Sequence, residues 1–146
     1  MMPLALADFL KSQRVAVLST CANALPWSAA VFYAFDEQKN ALIFASNAAS
    51  KHIELASSYK LSANIYKDSS DIASIKGVQM LCLRGFASAR QKALYIKTFG
   101  KLAGFSAFSA AFGSKIYEAK IEYAKFRDNK KGERLEFGSL DALGQV

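Results

Sequence analysis

The segment best equipped to bind an anion spans residues 46–51, where a strand-like stretch ends and a helix-like pattern begins. A helix start offers free backbone N–H groups and the positive end of the helix dipole. The hydroxyls of Ser46 and Ser50 and the ammonium of Lys51 add donors aimed at the same place. The segment is therefore a candidate phosphate site. The alternative is that Ser46 only caps the helix and Lys51 is solvated.

Two further segments have residue types suited to a planar ligand. Gln79 is the only polar side chain in the apolar run 77–83, and a primary amide buried in a strand needs hydrogen-bond partners. The carbonyls and ring nitrogens along the edge of a flavin would match its donor and acceptor, although a bond to a neighbouring loop backbone is the alternative. Small residues follow the aromatic one in Trp27-Ser28-Ala29, so a planar ring could lie against that backbone. Ordinary core packing is the commoner use of such residues.

Several other kinds of site are excluded by residue counts. His52 is the only histidine, and one histidine does not build a zinc site with two cysteines as far apart as Cys21 and Cys82. It also argues against a Ser-His-Asp hydrolase unless His52 is the base. The chain contains no P-loop and no Gly-x-Gly-x-x-Gly motif. We therefore expect no metal site, and buried thiols rather than a disulfide.

Composition points to one globular domain with a basic surface. The 146 residues are 52% hydrophobic and 21% charged, and the formal net charge is +7. Residues 39–115 contain eleven Lys or Arg and three acids, which suits an anionic ligand, although a solvated basic surface is as common. Aromatic residues among the lysines of 97–115 could bind single-stranded nucleic acid. Their spacing of three and four favours packing instead. We expect a cytoplasmic protein with no nucleic-acid or membrane partner.

The positions of the elements follow from hydrophobic periodicity. Helices are predicted at 2–13, 48–58, 90–102 and 106–112, and strands at 14–21, 26–36, 41–46, 59–67, 75–89, 115–126 and 134–137. Alternation in the sixth strand places Tyr117, Ala119, Ile121 and Tyr123 on one face. Gly77 and Gly85 suggest bulges or close backbone approach. Strands joined in succession, without regular βαβ alternation, predict an antiparallel barrel or sandwich with peripheral helices.

Taken together, these segments resemble the FMN-binding split-barrel proteins related to pyridoxamine 5'-phosphate oxidase, and in particular their small bacterial branch. The likeness covers about residues 9–126 and rests on the order and spacing of segments 15–20, 27–36, 46–52 and 75–79 leading to Arg84-Gly85. It implies a mainly β fold, a six-stranded antiparallel split β-barrel of Greek-key type. It also implies a single domain over 1–146 and a homodimer with FMN at the interface.

The resemblance also implies roles for individual residues. Ser46, Ser50 and Lys51 would hold the FMN phosphate, Trp27, Ser28 and Ala29 would flank the isoalloxazine, and Gln79 would reach the flavin from the other subunit. The implied activity is that of an FMN-dependent oxidoreductase acting on a small-molecule redox substrate or a reduced nicotinamide.

The chain departs from the true pyridoxamine 5'-phosphate oxidases at its C-terminus. Residues 128–137 lack the segment rich in Trp, Arg and His with which those enzymes grip their substrate, so that specific activity is not expected. The alternative function is a non-enzymatic flavin or haem binder or sensor. Only His52 or a cysteine could serve as an axial haem ligand.

Overall fold

The computed structural model describes residues 1–47, 59–99 and 114–143. Its elements are α1 (Leu4–Ser12), β1 (Val15–Ala22), β2 (Leu25–Asp36), β3 (Ala41–Asn47), β4 (Lys60–Lys67), β5 (Lys76–Phe86), α2 (Ala89–Phe99), β6 (Ser114–Asp128) and β7 (Glu133–Gly138). Single 3-10 turns lie at Ile72–Ser74 and Leu140–Leu143. The helices predicted at 48–58 and 106–112, and the end of the one predicted at 90–102, lie outside the described residues.

The strands form one antiparallel sheet that closes on itself. The strand order is β3-β2-β1-β4-β5-β6-β7, and an additional pairing between β3 and β6 joins the ends of the first six strands. β4 pairs with the edge of β1 that is opposite to β2. This return of the fourth strand to the first is the Greek-key arrangement. The predicted six-stranded barrel is therefore confirmed. β7 extends the sheet from the C-terminal half of β6, as the predicted last edge strand.

Alternate residues of the six strands fill the barrel, and α1 covers one end of it. The ring of Phe9 in α1 packs 5.4 Å from that of Phe126, and the Tyr33 hydroxyl donates a 2.6 Å hydrogen bond to the carbonyl of Leu10. We call this the α1 end. The antiparallel pairings bring residues 20–27, 46–47, 59–61, 84–88 and 114–117 to the opposite end, which we call the distal end.

A β-bulge in β6 overturns one prediction made from alternation. Leu81 pairs with Tyr123 but the next residue, Cys82, pairs with Ile121, so Glu122 is an extra residue in β6. Tyr117, Ala119 and Ile121 face the core as predicted. Because the bulge inverts the alternation, Ala124 and Phe126 continue the core face and Tyr123 lies on the outside.

The two glycines of β5 differ in what they permit. A Cβ at Gly77 would stand 2.9 Å from the carbonyl oxygen of Ile65, so Gly77 marks a close backbone approach, as predicted. At Gly85 a Cβ would meet nothing within 4 Å, and the register shift of the β5–β6 pair lies at Leu81/Cys82. The prediction of a bulge or close approach at Gly85 is therefore wrong.

The two cysteines are free, as expected, but only one of them is buried. Burial, with a contribution from the charge of Glu122, raises the pKa of the Cys82 thiol to about 12. Cys21 is exposed beside the β1–β2 turn, which corrects the expectation that both thiols are buried. Among the described residues, no helix has the length and apolar character needed to cross a membrane.

A polar cluster attaches α2 to the outside of the barrel. The Asp36 side chain, 2% exposed, accepts hydrogen bonds of 3.0 and 2.7 Å from the guanidinium of Arg90 and one of 2.9 Å from the amide of Gln91. The Gln91 amide also donates to Glu118 on β6. The Ser88 hydroxyl accepts a hydrogen bond from the backbone N–H of Gln91, and the Gln91 side-chain carbonyl accepts one from the backbone N–H of Ser88. This reciprocal pair is a capping box at the start of α2.

Candidate functional site

The outer face of β1, β2, β4 and β5 is built mainly from small and polar side chains. Ser28, Ser19 and Ser62 stand side by side across three strands, because Ser19 pairs with Ser28 on one side and with Ser62 on the other. One step nearer the α1 end, Asn64 of β4 pairs with Gln79 of β5. With few large side chains in this region, a planar molecule could lie close to the strand backbones.

Gln79 lies on this outer face and is exposed. The apolar residues around it predict a buried amide, but Val78 and Met80 are the residues that point into the core. Because side chains alternate along a strand, Gln79 points the other way. The prediction of burial is wrong, and the exposed amide is available to a ligand or to another subunit.

The three residues expected to flank a flavin ring are divided between the two faces of β2. Trp27 pairs with Thr20 and Ala29 with Leu18, so both belong to the inward-facing set, and Trp27 is 46% exposed only because it lies at the distal end. Only Ser28 presents its side chain on the same face as Gln79. Within one chain β1 and β4 separate these two residues.

Of the three residues expected to hold a phosphate, the structure describes Ser46. It is 9% exposed, at the end of β3, and pairs with Lys115 of β6 at the distal end. Ser50 and Lys51, together with His52, lie outside the described residues. The structure therefore places the start of the predicted phosphate segment and leaves the rest of it a prediction.

A groove of about 350 Å³ runs across the outer face beside Gln79. Its polar lining comes from Ser19, Ser62, Asn64, Gln79, Tyr123 and Lys125. The Tyr123 hydroxyl donates to Glu136 at 3.1 Å, and desolvation together with that carboxylate raises the pKa of the phenol. The groove lining thus offers amide, hydroxyl and ammonium donors, with the Glu136 carboxylate at its edge beside Tyr123 and Lys125, a set suited to hydrogen bonding with a polar heterocycle.

At the distal end the structure reveals Arg84, to which sequence reasoning gave no role. Its guanidinium carbon lies 5.0 Å from the ring centre of Tyr59 and 5.4 Å from that of Tyr117. Val78, Met80 and Cys82 point into the barrel, and Arg84 continues the same alternation. The sequence carries no local signal for this position, because both faces of β5 are largely apolar and only the fold shows which one meets the core.

No metal centre emerges from the part of the chain that the structure describes. No group of three or more His, Cys, Asp or Glu side chains lies close enough together to hold an ion among residues 1–47, 59–99 and 114–143.

Comparison with solved structures identifies the class of fold. The chain superimposes on a haem-binding protein of Mycobacterium smegmatis with a TM-score of 0.70 at 14% identity, covering 94% of this chain and 59% of that one. An FAD-binding protein of Mesorhizobium loti gives 0.68 at 16% identity, over 85% of this chain and 90% of that one. A candidate pyridoxamine 5'-phosphate oxidase of Listeria innocua gives 0.66 at 12%, over 84% and 94%. The chain is a split-barrel protein of the pyridoxamine 5'-phosphate oxidase-like fold.

Sequence relatives define the family more narrowly. Two UPF0306 proteins of Campylobacter jejuni are each 35% identical to the chain over 133 residues, which is 89% of this chain and 93% of each relative. A UPF0306 protein of Pasteurella multocida is 25% identical over 130 residues, covering 86% of this chain and 83% of that protein. No protein-family model matches the chain. The chain belongs to the UPF0306 family.

Proposed function

We propose that the chain binds FMN and acts as a flavin-dependent oxidoreductase. The observation that carries the proposal is the outer face on which the exposed amide of Gln79 stands beside Ser62 and Asn64. A face with an exposed donor and acceptor among small side chains is suited to the polar edge of an isoalloxazine ring. The fold supports the proposal because one of its solved examples is an FAD-binding protein.

The donor set fits a flavin nucleotide in two respects. The lining of the groove beside Gln79 offers neutral and cationic donors, and the one carboxylate described at its edge, that of Glu136, accepts a hydrogen bond from Tyr123. Ser46 begins the predicted phosphate segment at the distal end, and that segment contributes the further hydroxyl and ammonium of Ser50 and Lys51. A bound flavin would supply hydride or electron transfer, while the residues of the chain bind it, orient it and limit its access to water.

We further propose that two copies of the chain share each flavin. In one copy Ser28 and Gln79 lie on the same outer face but on strands separated by β1 and β4. A second copy packed against that face would bring its own Gln79 toward the first copy's flavin. The small residues Ser19, Ala30 and Ser62 would let the two sheets approach closely.

Replacing Ser50 and Lys51 together by alanine is expected to weaken FMN binding about tenfold or more, because charge-assisted hydrogen bonds to the phosphate are lost. Riboflavin, which has no phosphate, should bind both proteins with the same affinity. Quenching of flavin fluorescence on titration measures both constants. The matched control is Lys67→Ala with Ser70→Ala, which removes an exposed lysine and serine from the α1 end.

The same preparations distinguish the alternative function. If the double variant binds FMN as tightly as the unaltered protein, the phosphate assignment is wrong. If the purified protein carries a Soret band and takes up haem but not flavin, the FMN proposal fails and the haem-binding alternative replaces it. A solved haem-binding protein of this fold supports that alternative.

A mixed dimer tests whether the site is shared. One subunit carries Gln79→Leu, the other carries Ser50→Ala with Lys51→Ala, and two different affinity tags isolate the mixed species. If the site is shared, the mixed dimer keeps one site to which both subunits contribute unaltered residues. It should therefore bind one FMN with unaltered affinity, while each parent variant binds FMN weakly. Equilibrium dialysis measures this stoichiometry. A mixed dimer no better than its parents, or a monomer that binds FMN tightly, would contradict the shared site.

A further inference from the structure

Arg84 occupies an unusual place for a charged residue, the inward-facing side of the barrel at its distal end. It follows the buried Cys82 by two residues in β5 and pairs with Ala119, which is fully buried. The backbone N–H of Arg84 donates to the carbonyl of Tyr59, which fixes β5 against the start of β4. The strand pairings therefore determine the position of this guanidinium.

Two aromatic rings hold the Arg84 guanidinium in place. Its central carbon lies 5.0 Å from the Tyr59 ring and 5.4 Å from the Tyr117 ring. Tyr117 is itself 1% exposed and stacks on Phe44 with ring centres 5.6 Å apart. Contact with the face of a ring orients a guanidinium without using its N–H groups, which lie in the guanidinium plane.

The hydrogen-bonding capacity of this arginine is not used by the described part of the chain. Its Nε is buried and has no hydrogen-bond partner there, and no carboxylate lies within ion-pair distance in that part. The hydroxyl of Thr20, on the inward side of β1 at the same end, is likewise buried without a partner among the described residues. A buried donor without an acceptor is destabilising, so an anion that accepts from Arg84 would relieve that cost.

The charge of the distal end favours an anion with two negative charges. The described residues of this end include Lys60, Arg84 and Lys115 but no Asp or Glu. Ser46 reaches the same end from β3 and pairs with Lys115. A guanidinium presents paired N–H groups that match two oxygens of a phosphate, which a single ammonium does not.

We propose that Arg84 is the principal receptor for a phosphate group at the distal end of the barrel, with Lys115 as a second source of positive charge. The phosphate can be that of the proposed flavin nucleotide, and in that form the inference rests on the proposed function. A free phosphate ion has the same chemistry, and the experiment separates the two sources.

The experiment compares the unaltered protein with Arg84→Met, which keeps an unbranched side chain between the two rings but removes the donors. Isothermal titration with inorganic phosphate, at constant ionic strength set with chloride, gives the affinity without any flavin. Arg84→Met should weaken phosphate binding about tenfold or more. Arg84→Lys keeps the charge without the paired donors and should give an intermediate value. The control Arg134→Met removes an exposed arginine from β7 and should leave the affinity within about twofold.

FMN and riboflavin titrations of the same variants identify the source of the phosphate. If Arg84→Met weakens FMN but not riboflavin, the phosphate is that of the nucleotide. If phosphate binding depends on Arg84 while FMN binding does not, or no flavin binds at all, the anion site stands and the flavin source is wrong. The proposal is overturned if the unaltered protein does not bind phosphate, or if Arg84→Met or a folded Arg84→Lys binds it as tightly. Circular dichroism confirms that each variant is folded.

Discussion

Asp36→Ala is expected to lower the free energy of unfolding by about 2–4 kcal/mol, because it removes a buried carboxylate that anchors α2 to the barrel. The carboxylate accepts from Arg90 and Gln91 and also, at 3.2 Å, from the backbone N–H of Gln38. Arg90 is 42% exposed at its side chain, so water can solvate it once Asp36 is gone, and the loss stays below that of a fully buried pair. Urea denaturation measures the change.

The same residue should make the barrel sensitive to acid. Burial by itself would raise the pKa of Asp36, but hydrogen bonds from Arg90 and Gln91 and the charge of Arg90 outweigh it and hold the pKa below its usual value. The stability it contributes is therefore complete above the unfolded pKa, near pH 4, and is lost as pH falls through the lower folded value. The stability difference between the unaltered protein and Asp36→Asn should shrink across that range.

Two further experiments show whether the loss of stability in Asp36→Ala is specific to this carboxylate. Asp68→Ala removes an exposed carboxylate from the loop after β4 and should change stability by less than about 0.5 kcal/mol. A double-mutant cycle with Arg90→Met isolates the contribution of the ion pair from the rest of the cluster. An Asp36→Ala protein as stable as Asp68→Ala would show that α2 does not depend on this carboxylate.

Gly138→Ala is expected to cost about 2–4 kcal/mol and to detach the end of β7 from β6. A Cβ at Gly138 would stand 1.9 Å from the carbonyl oxygen of Glu122, the extra residue of the bulge, and Gly138 has a φ of +76°. Both the contact and the backbone angle therefore oppose a side chain. Urea denaturation gives the loss of stability, and limited proteolysis within 133–143 detects the detached strand.

Gly132→Ala separates these two effects. Gly132 also has a positive φ, of +67°, but a Cβ there would meet nothing within 4 Å. It should cost only about 1 kcal/mol, the strain of the backbone angle alone. If the two substitutions lower the free energy of unfolding equally, the close contact between a Cβ at position 138 and Glu122 does not destabilise the pairing of β7 with β6.

Much of the fold could be predicted because its strands are amphipathic and separated by clear turns. The predicted strand 115–126 becomes Ser114–Asp128 and the predicted 41–46 becomes Ala41–Asn47, each within two residues at either end. The bulge could not be predicted, because one extra residue leaves no mark on an alternating pattern until the partner strand is known. The alternation therefore predicts the wrong face for Tyr123.

The candidate site was predictable only where it depends on local sequence. Ser46 lies at the end of a strand as the segment 46–51 indicates, since the end of a strand is a local property of the sequence. The exposure of Gln79 depends on which face of β5 meets the core. Because the apolar residues Leu81 and Leu83 lie on the same face as Gln79, the sequence does not show which face is buried. The aromatic contacts of Arg84 are with Tyr59 and Tyr117, which are distant from it in sequence, and no local pattern reports them.

The two longest connections between strands of the barrel leave from the same end. The stretches 48–59 and 87–113 leave from the distal end, which also carries the two-residue turn between β1 and β2, whereas connections of four to eight residues join the strands at the α1 end. Natural variation in loop length is tolerated best where few scaffold contacts cross a segment. Relatives could therefore acquire new ligand preferences by insertion or deletion at one pole of the molecule, while the other pole preserves the architecture.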